Sequence, residues 1–502
     1  MFEGLMAGWQ TALNPQLLLI LLMSVPLGIV VGVMPGVGAV VGITVLLPLT
    51  FGMDPVSGIC MLVAVYCGAF YGGAVSAILI NTPGTPAAIC TTLDGYPMAM
   101  KGQAHRALTA AVVASFLGGV ISVVALTFAA PLIANVALKF SYTEYFAIAL
   151  FGIVMVITSS SKKSFLKGLL MGTLGLVLAT VGQDKMGTVE RFTFGILDLS
   201  RGLPLLPVVV GLFAVSQALF LTEQGAKAVQ LGKMENKAGL WDMFKVMGRN
   251  KLTLLKSSLI GTGVGAIPGT GAAISSFVAY AEAKRSSSHP ESFGKGEVEG
   301  IIASESSNNS VTGGALIPLL SLGIPGDPIT AIMLGAFLVH GLIPGPMLFV
   351  ESAGLVYAIF ATMLISYVMV LAYGYFGAYP FAAILKVREA ILVPIILVIS
   401  FIGAYAVNSS LFDVGIALVF GIIGYILNKF GFPLPPILMG IILGPIAEES
   451  LRQSLVVSNG SWTILFTQPI SAVFLGVTAV IVLRKAYVML AKKDESKGMV
   501  KN

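Results

Sequence analysis

Ile80-Asn81-Thr82-Pro83-Gly84-Thr85-Pro86 interrupts an apolar run that begins near Ser57, and Gly323-Ile324-Pro325-Gly326-Asp327-Pro328 repeats the interruption in the later half of the chain. In each, two closely spaced prolines remove backbone donors and prevent a continuous helix, while the glycine between them permits a tight change of direction. Inside a bilayer, unpaired backbone survives only where it is buried in protein or lines a wet cavity. Matched broken segments in two halves of one apolar chain point to a secondary transporter with an internal repeat and to the place of its site.

Working outward, each break follows a Gly-Gly-Ala step, Gly72-Gly73-Ala74 and Gly313-Gly314-Ala315. Further upstream stands Gly-x-x-Pro-Gly-x-Gly-Ala, once as Gly32, Pro35, Gly36, Gly38, Ala39 and once as Gly265, Pro268, Gly269, Gly271, Ala272. A third echo closes each half, with Pro204, Pro207, Gly211 matching Pro433, Pro436, Gly440. The copies lie 233, 241 to 242, and 229 residues apart in chain order. Three ordered matches at similar spacing predict a duplication. Pro35, Gly36, Pro268 and Gly269 are expected in hairpin turns that open short half-helices, as are Pro83 and Pro325 at the breaks. The overlapping steps Gly28-Gly32-Gly36 and Gly261-Gly265-Gly269 predict close helix crossings.

Of 502 residues, 56% are hydrophobic and 10% charged, with a mean hydropathy of +0.94. Soluble chains carry roughly a quarter charged residues, so an ordinary soluble domain is excluded. Apolar runs at 16–34, 57–80, 107–138, 145–158, 390–407 and 465–483 are of membrane-spanning scale, and period-2 alternation is absent. The expected fold is an all-α polytopic membrane protein of about 12 transmembrane segments, with broken helices and re-entrant hairpins. Its expected divisions are a first membrane repeat over 1–223, a basic cytoplasmic linker over 224–256, a second repeat over 257–450, and an extra C-terminal helix with a cytoplasmic tail over 451–502. In the linker Lys227, Lys233, Lys237, Lys245, Arg249, Lys251 and Lys256 outnumber Glu235 and Asp242. The positive-inside rule therefore places it in the cytoplasm, together with Lys162, Lys163, Lys167 and the tail bearing Arg484, Lys485, Lys492 and Lys493.

Counting helices from those anchors puts 183–202 outside and makes the echo-bearing helices at 203–222 and 434–447 run in opposite directions. The halves are thus expected to be inverted repeats. No Lys or Arg precedes Lys101, so the first apolar stretch reads as a retained membrane helix rather than a cleaved signal. The net charge of +6 reads as cytoplasmic loops against lipid headgroups and gives no sign of nucleic-acid binding. Cys60, Cys67 and Cys90 lack ligand spacing and read as small core residues.

Asn81, Thr82 and Thr85 can hydrogen-bond a carboxylate or offer oxygen to sodium, and a helix starting at Pro86 would add free N–H groups and a positive dipole end. The second half offers Ser306, Ser307, Asn308, Asn309 and Ser310 ahead of its own break. The predicted substrate site joins Asn81, Thr82, Gly84 and Thr85 to Ser307, Asn308, Asn309 and Gly326. Asp327 takes the position of Thr85. An acid in an apolar region is a functional candidate, and an acid before a helix is also a normal cap. Asp327 is therefore the candidate for coupling to sodium or a proton, with sodium able to bind through Asn81, Asn309 and Asp327; no resident cofactor or metal cluster is expected. The charged stretch 282–310, which contains Glu282, Lys284, Arg285, His289, Glu291, Lys295, Glu297, Glu299 and Glu305, reads as a solvated loop leading into an amphipathic helix. His105 reads as a loop residue and His340 as a satisfied helix-end residue. With no HExxH, GxSxG or Walker lysine, the chain lacks the equipment of an enzyme. A passive anion conduit is the alternative to a transporter.

The segments GVMPGVGAVVGITVLLPLTFGMDP (32–55), YGGAVSAILINTPGTPAA (71–88), DGYPMAMKGQAHRAL (94–108), GAIPGTGAAISSFVAYAEAKR (265–285) and GALIPLLSLGIPGDP (314–328) resemble the large membrane subunit, TctA, of the tripartite tricarboxylate transporters. That resemblance extends over nearly the whole chain. It implies a permease of the bacterial inner membrane that works with a small membrane subunit (TctB-like) and a periplasmic solute-binding protein (TctC-like). It also implies cation-driven symport of citrate-like or other small carboxylates, and an architecture similar to elevator-type carboxylate transporters.

Overall fold

The computed structural model describes residues 2–160, 165–184, 186–224, 239–269, 271–385, 387 and 389–499. The charge anchors Lys162 and Lys163 and the linker residues Lys227, Lys233, Glu235 and Lys237 lie outside them. The earlier half runs α1 (Phe2–Ala12), α2 (Pro15–Val33), α3 (Gly38–Leu46), α4 (Pro55–Ile80), α5 (Thr91–Met100), α6 (Ala104–Ala137), α7 (Tyr142–Ser160), α8 (Phe165–Ala179), α9 (Leu205–Val209) and α10 (Ser216–Gln224). The later half runs α11 (Leu240–Arg249), α12 (Lys251–Ala266), α13 (Gly271–Ser286), α14 (Val298–Leu322), α15 (Pro328–Val339), α16 (Leu348–Glu351), α17 (Ala353–Phe376), α18 (Ala378–Ile384), α19 (Glu389–Asn408), α20 (Leu411–Lys429), α21 (Pro435–Val457), α22 (Ile464–Thr467) and α23 (Pro469–Met499). Among the described residues the one strand pairing joins Gly182–Gln183 to Glu190–Arg191, antiparallel, with Gly182 opposite Arg191.

Among the described residues, seven helices are long and apolar enough to cross a membrane, at 15–33, 55–80, 104–137, 205–223, 353–376, 390–408 and 411–429. Shorter apolar helices lie at 38–52, 142–158, 165–179 and 328–339. The chain is thus an all-α, multi-pass membrane protein. Lipid suits the large side chains left bare along these helices, among them Leu19, Phe128, Ile391 and Val419. α14 has the length to span but falls outside the apolar set because its middle is polar.

The helices begin and stop for local reasons. Asp54 accepts from Ser57 N–H at 3.0 Å, ahead of Pro55 in the first turn of α4. Glu297 caps α14, and Asp327 caps α15 ahead of Pro328, with its own N–H donating back to Thr330 Oγ1. Each cap supplies an acceptor to N–H groups that the first turn leaves unpaired.

The chain divides into two units that cut across the sequence halves. The first comprises Met1–Asn135 and Val209–Tyr425. Its interior is α4 and α14, whose residues are buried along almost their full length. α2 packs along α4 and α12 along α14, while α1 packs on α17. Within this unit Gly211 lies against the Ala417 carbonyl and Gly421.

The second unit comprises Val136–Val208 and Ile426–Asn502. In it α7 and α8 pack on α21, and α23 on α7. Gly440, the partner of Gly211 in the third echo, meets Gly175. Arg191 of the hairpin pairs with Asp184 at 2.5 Å and Glu448 at 2.8 Å, and Arg452 with Asp184 at 2.8 Å and Glu448 at 3.2 Å. The Met186 N–H, then Arg452 and Arg191, pull the Asp184 carboxyl down to about 2. Its ordinary value is near 4. A depressed carboxyl stabilises the folded state above that ordinary value, and the contribution is lost as pH falls towards about 2.

Candidate functional site

Both interior helices end on a left-handed residue, Asn81 at φ 54° and Gly323 at φ 72°. Gly323 N–H bonds Leu319 O at 3.0 Å and Ile324 N–H bonds Pro318 O at 3.2 Å, which satisfies the last carbonyls of α14. The chain then folds back along the helix it has just left. Gly84 N–H reaches Gly73 O at 3.4 Å, and a Cβ on Gly326 would stand 2.6 Å from Ala315 Cα. The same two glycines touch the upstream signature of their own half. Gly84 lies on the Gly32 carbonyl and Gly326 on that of Gly265, where any Cβ would enter backbone. Gly269 N–H donates to Gly326 O at 2.8 Å, and a Cβ on Gly38 would come 3.1 Å from Gly84 O. The two signatures of each half, distant in sequence, therefore meet at one point.

These contacts give the register of the repeat. Val65 O covers Gly28 as Ser307 O covers Gly261, and Ala69 O covers Gly32 as Val311 O covers Gly265. The left-handed caps Asn81 and Gly323, and the break glycines Gly84 and Gly326, keep the same 242-residue spacing. Gly72 and Gly314, each against the crossing helix, are then the true counterparts, one residue away from the Gly-Gly-Ala match. Thr85 and Asp327 remain equivalent. Tyr66 corresponds to Asn308, Cys67 to Asn309 and Val63 to Glu305.

The charged stretch 282–310 does not behave as one solvated segment. Its charges up to Glu299 belong to α13, the connecting loop and the start of α14, but Glu305 lies inside α14 and is fully buried, as are Ser304, Ser306, Ser307, Asn308, Asn309, Ser310 and Thr312. The reason is the packing of α14 against α4, α5, α12 and α13, which leaves none of its faces to solvent. The Glu305 carboxylate accepts from Thr91 Oγ1, from Ser115 Oγ at 3.0 Å, and from Asn308 Nδ2 and Asn309 Nδ2, each at 3.4 Å. Asn309 Nδ2 also donates to Ser115 Oγ at 2.8 Å, and its backbone carbonyl accepts from Tyr367 Oη at 3.0 Å and Thr312 Oγ1 at 2.7 Å. Asn308 Nδ2 also reaches Phe70 O at 3.4 Å, and Ser307 pairs with Ser275. Asn308 Oδ1, Asn309 Oδ1, Ser306 Oγ and Thr85 Oγ1 are buried without a hydrogen-bond partner.

Asp327 is buried at the second break. Its Oδ1 accepts from Thr330 N–H at 2.7 Å and Thr330 Oγ1 at 2.8 Å, and its Oδ2 from Tyr66 Oη of α4 at 2.6 Å. The carboxyl group seated on the N-terminus of α15 is therefore the protein's own. The first half has no counterpart to that helix start, since Pro86–Ile89 is a single 3₁₀ turn before α5. Asn81 and Thr82 are exposed at the end of α4, whereas Gly84, Thr85, Ser307, Asn308, Asn309, Gly326 and Asp327 are buried. Pro35, Gly36, Pro268 and Gly269 sit in the turns between paired helices, with Gly36 at φ 86° and Gly269 at φ 80°.

Some residues escape a sequence reading. Asp94 of α5, fully buried, accepts from the N–H groups of Gly294, Gly296 and Glu297 at 2.8 to 2.9 Å and from Tyr280 Oη at 2.7 Å. It ties the loop before α14 to the earlier half. His105 is not a loop residue: it is buried in the first turn of α6, 5.9 Å from the Tyr375 ring. His340 ends α15 with Nε2 3.1 Å from Thr50 Oγ1. All three cysteines are buried.

A family model, the tripartite tricarboxylate transporter TctA family, matches residues 18–439. An uncharacterised 52.8 kDa protein of the TAR-I ttuC' 3' region of Agrobacterium vitis is 38% identical over 496 residues, covering 99% of this chain and 98% of the relative. A second uncharacterised protein from the TAR-II ttuC' 3' region of the same organism is 36% identical over 223 residues, covering 44% of this chain and 92% of the relative. No solved structure matches the chain.

Proposed function

The chain belongs to the tripartite tricarboxylate transporter TctA family, and on that premise we propose that it is the large permease subunit of a binding-protein-dependent secondary transporter for citrate-like or related small carboxylates. Cation symport drives uptake, a small TctB-like membrane subunit and a periplasmic TctC-like binding protein complete the system, and the bacterial inner membrane holds it with the linker and C-terminus on the cytoplasmic side. The halves act as inverted repeats of about 12 transmembrane segments, moving in elevator fashion.

The observation that carries this reading is the buried polar run of α14, Ser304 to Ser310, in the same unit as the two breaks. Ser307, Asn308, Asn309, Thr85 and the backbone at Gly84 and Gly326 supply neutral hydrogen-bonding groups, several of them unpartnered. Buried unpaired polar atoms cost free energy, so a native chain keeps them for a purpose. Of these, the unpartnered Thr85 hydroxyl can donate to a carboxylate that must be released again, whereas the bare Asn308 and Asn309 oxygens only accept. Asn81 and Thr82, exposed at the end of α4, would serve on the approach to this site, and Asp327 remains a coupling group.

The test is radiolabelled citrate uptake into vesicles carrying the whole tripartite system, with sodium and pH gradients imposed separately. Asn309→Ala is expected to insert normally and abolish most uptake. Wild-type uptake by that variant would remove the site, and equilibration without accumulation in the wild type would favour a passive conduit.

A further inference from the structure

The Glu305 cluster carries chemistry that a carboxylate site does not require. Glu305, Asn308 and Asn309 fall at helical spacing i, i+3 and i+4, which places them on one face of α14. Thr91 of α5 and Ser115 of α6 close over that face. Each of these five residues is fully buried. The four side-chain groups bonded to the Glu305 carboxylate are all neutral and all donate to it. Among the described residues no lysine or arginine forms an ion pair with it. Donors on every side suit the ionised carboxylate, and a buried anion without a counter-charge is strongly unfavourable.

Beside it stand two amide oxygens, Asn308 Oδ1 and Asn309 Oδ1, fully buried and without a donor. Protonating Glu305 would cancel its charge and still leave both amide oxygens unsatisfied. A hard cation answers both deficits, because carboxylate, amide and hydroxyl oxygens are its preferred ligands. A single carboxylate calls for a single positive charge. Tight packing around fully buried residues favours the smaller of the common alkali ions.

We propose that Glu305, Asn308 and Asn309, with the hydroxyls of Thr91 and Ser115, form a sodium-binding site inside the first unit. The assignment deepens the transport reading and rests on it for its purpose, but the site itself is testable without substrate or partners. It shares Asn309 with the sodium set read from sequence and puts Glu305, Asn308 and two hydroxyls in place of Asn81 and Asp327. It also removes an electrostatic conflict, since a substrate anion near Asn308 and Asn309 would otherwise face an uncompensated Glu305.

The purified full-length chain in nanodiscs is titrated with sodium chloride against choline chloride at constant ionic strength, following melting temperature and radioactive sodium binding. Wild type should show saturable stabilisation by sodium that potassium does not reproduce. Glu305→Gln should lose the sodium response while melting no lower than sodium-free wild type, because the buried charge is gone. Asn309→Ala should raise the half-saturating sodium concentration by about tenfold or more. Should Glu305→Gln fail to fold, the Asn309→Ala titration decides alone. A full sodium response in Glu305→Gln, an unshifted response in Asn309→Ala, or a wild type stabilised by potassium or acid and not by sodium would each overturn the site. Sodium binding without carboxylate uptake in the complete system would instead sink the transport reading and leave the site standing.

Discussion

α4 and α14 occupy equivalent places and are made of opposite materials. Each is crossed by a glycine-bearing helix, each ends on a left-handed residue, and each is followed by a strand that returns to touch its middle. Over the equivalent spans, α4 reads Leu62-Val63-Ala64-Val65-Tyr66-Cys67-Gly68-Ala69-Phe70 and α14 reads Ser304-Glu305-Ser306-Ser307-Asn308-Asn309-Ser310-Val311-Thr312. Both spans are fully buried or nearly so. Shared backbone contacts thus define the repeat, and the side chains are free to diverge: one copy became an apolar wall, the other a polar surface. Within that span of α4 the hydroxyl-bearing exception is Tyr66, which meets Asp327 of the second half.

The sharpest way to break this contrast is to put the charge of one helix into the other. Val63→Glu places a carboxylate at the position equivalent to Glu305 without that cluster's donors, and should cost about 3–5 kcal/mol. Loss of folded protein on size-exclusion chromatography is the expected result, and normal yield would mean α4 is not the wall described. Next come the shared contacts. Gly72→Leu and Gly314→Leu both drive a side chain into the crossing helix, and each should destabilise by about 1–3 kcal/mol or more. A lowered melting temperature in both supports the 242-residue register, while tolerance of one alone would break it.

Smaller effects sharpen the comparison. Tyr66→Phe leaves Asp327 Oδ2 without its donor and should cost about 1–3 kcal/mol, read as a lower melting temperature that Asp327→Asn largely restores. At Asn81, Ala must enter a left-handed conformation at about 1–2 kcal/mol, whereas Gly, the residue already used at the equivalent position 323, should melt as wild type. Uptake by Asn81→Gly then separates a backbone role from a side-chain role. The smallest effect lies in the second unit. As pH falls from about 4 towards about 2, the stabilisation from the Asp184 pairs with Arg191 and Arg452 should be lost, seen as lower amide protection in the hairpin at 182–191.

The breaks, the glycine crossings and the membrane class were legible because proline, glycine and hydropathy act locally. Asp327 as a cap was legible for the same reason, standing directly before Pro328. Glu305 was not, because it follows a run of solvated charges and only packing on all sides separates it from them. Neither was the Asp94 tie to the loop at 294–297, which spans about 200 residues of sequence and has no local signature. The one-residue slip in Gly-Gly-Ala shows the limit of matching by composition. Two adjacent glycines leave the register ambiguous, and the carbonyls of Val65 and Ser307 resolve it.

The return strands also set depth. From Asn81 back to the level of Gly73, and from Gly323 back to Ala315, is eight residues of helix, or about 12 Å at 1.5 Å per residue. Thr85 and Asp327 are thereby lowered that far beneath the ends of their helices. A four-residue strand thus does the work of a vestibule: it lets a helix long enough to seal the bilayer present polar groups part-way through its thickness.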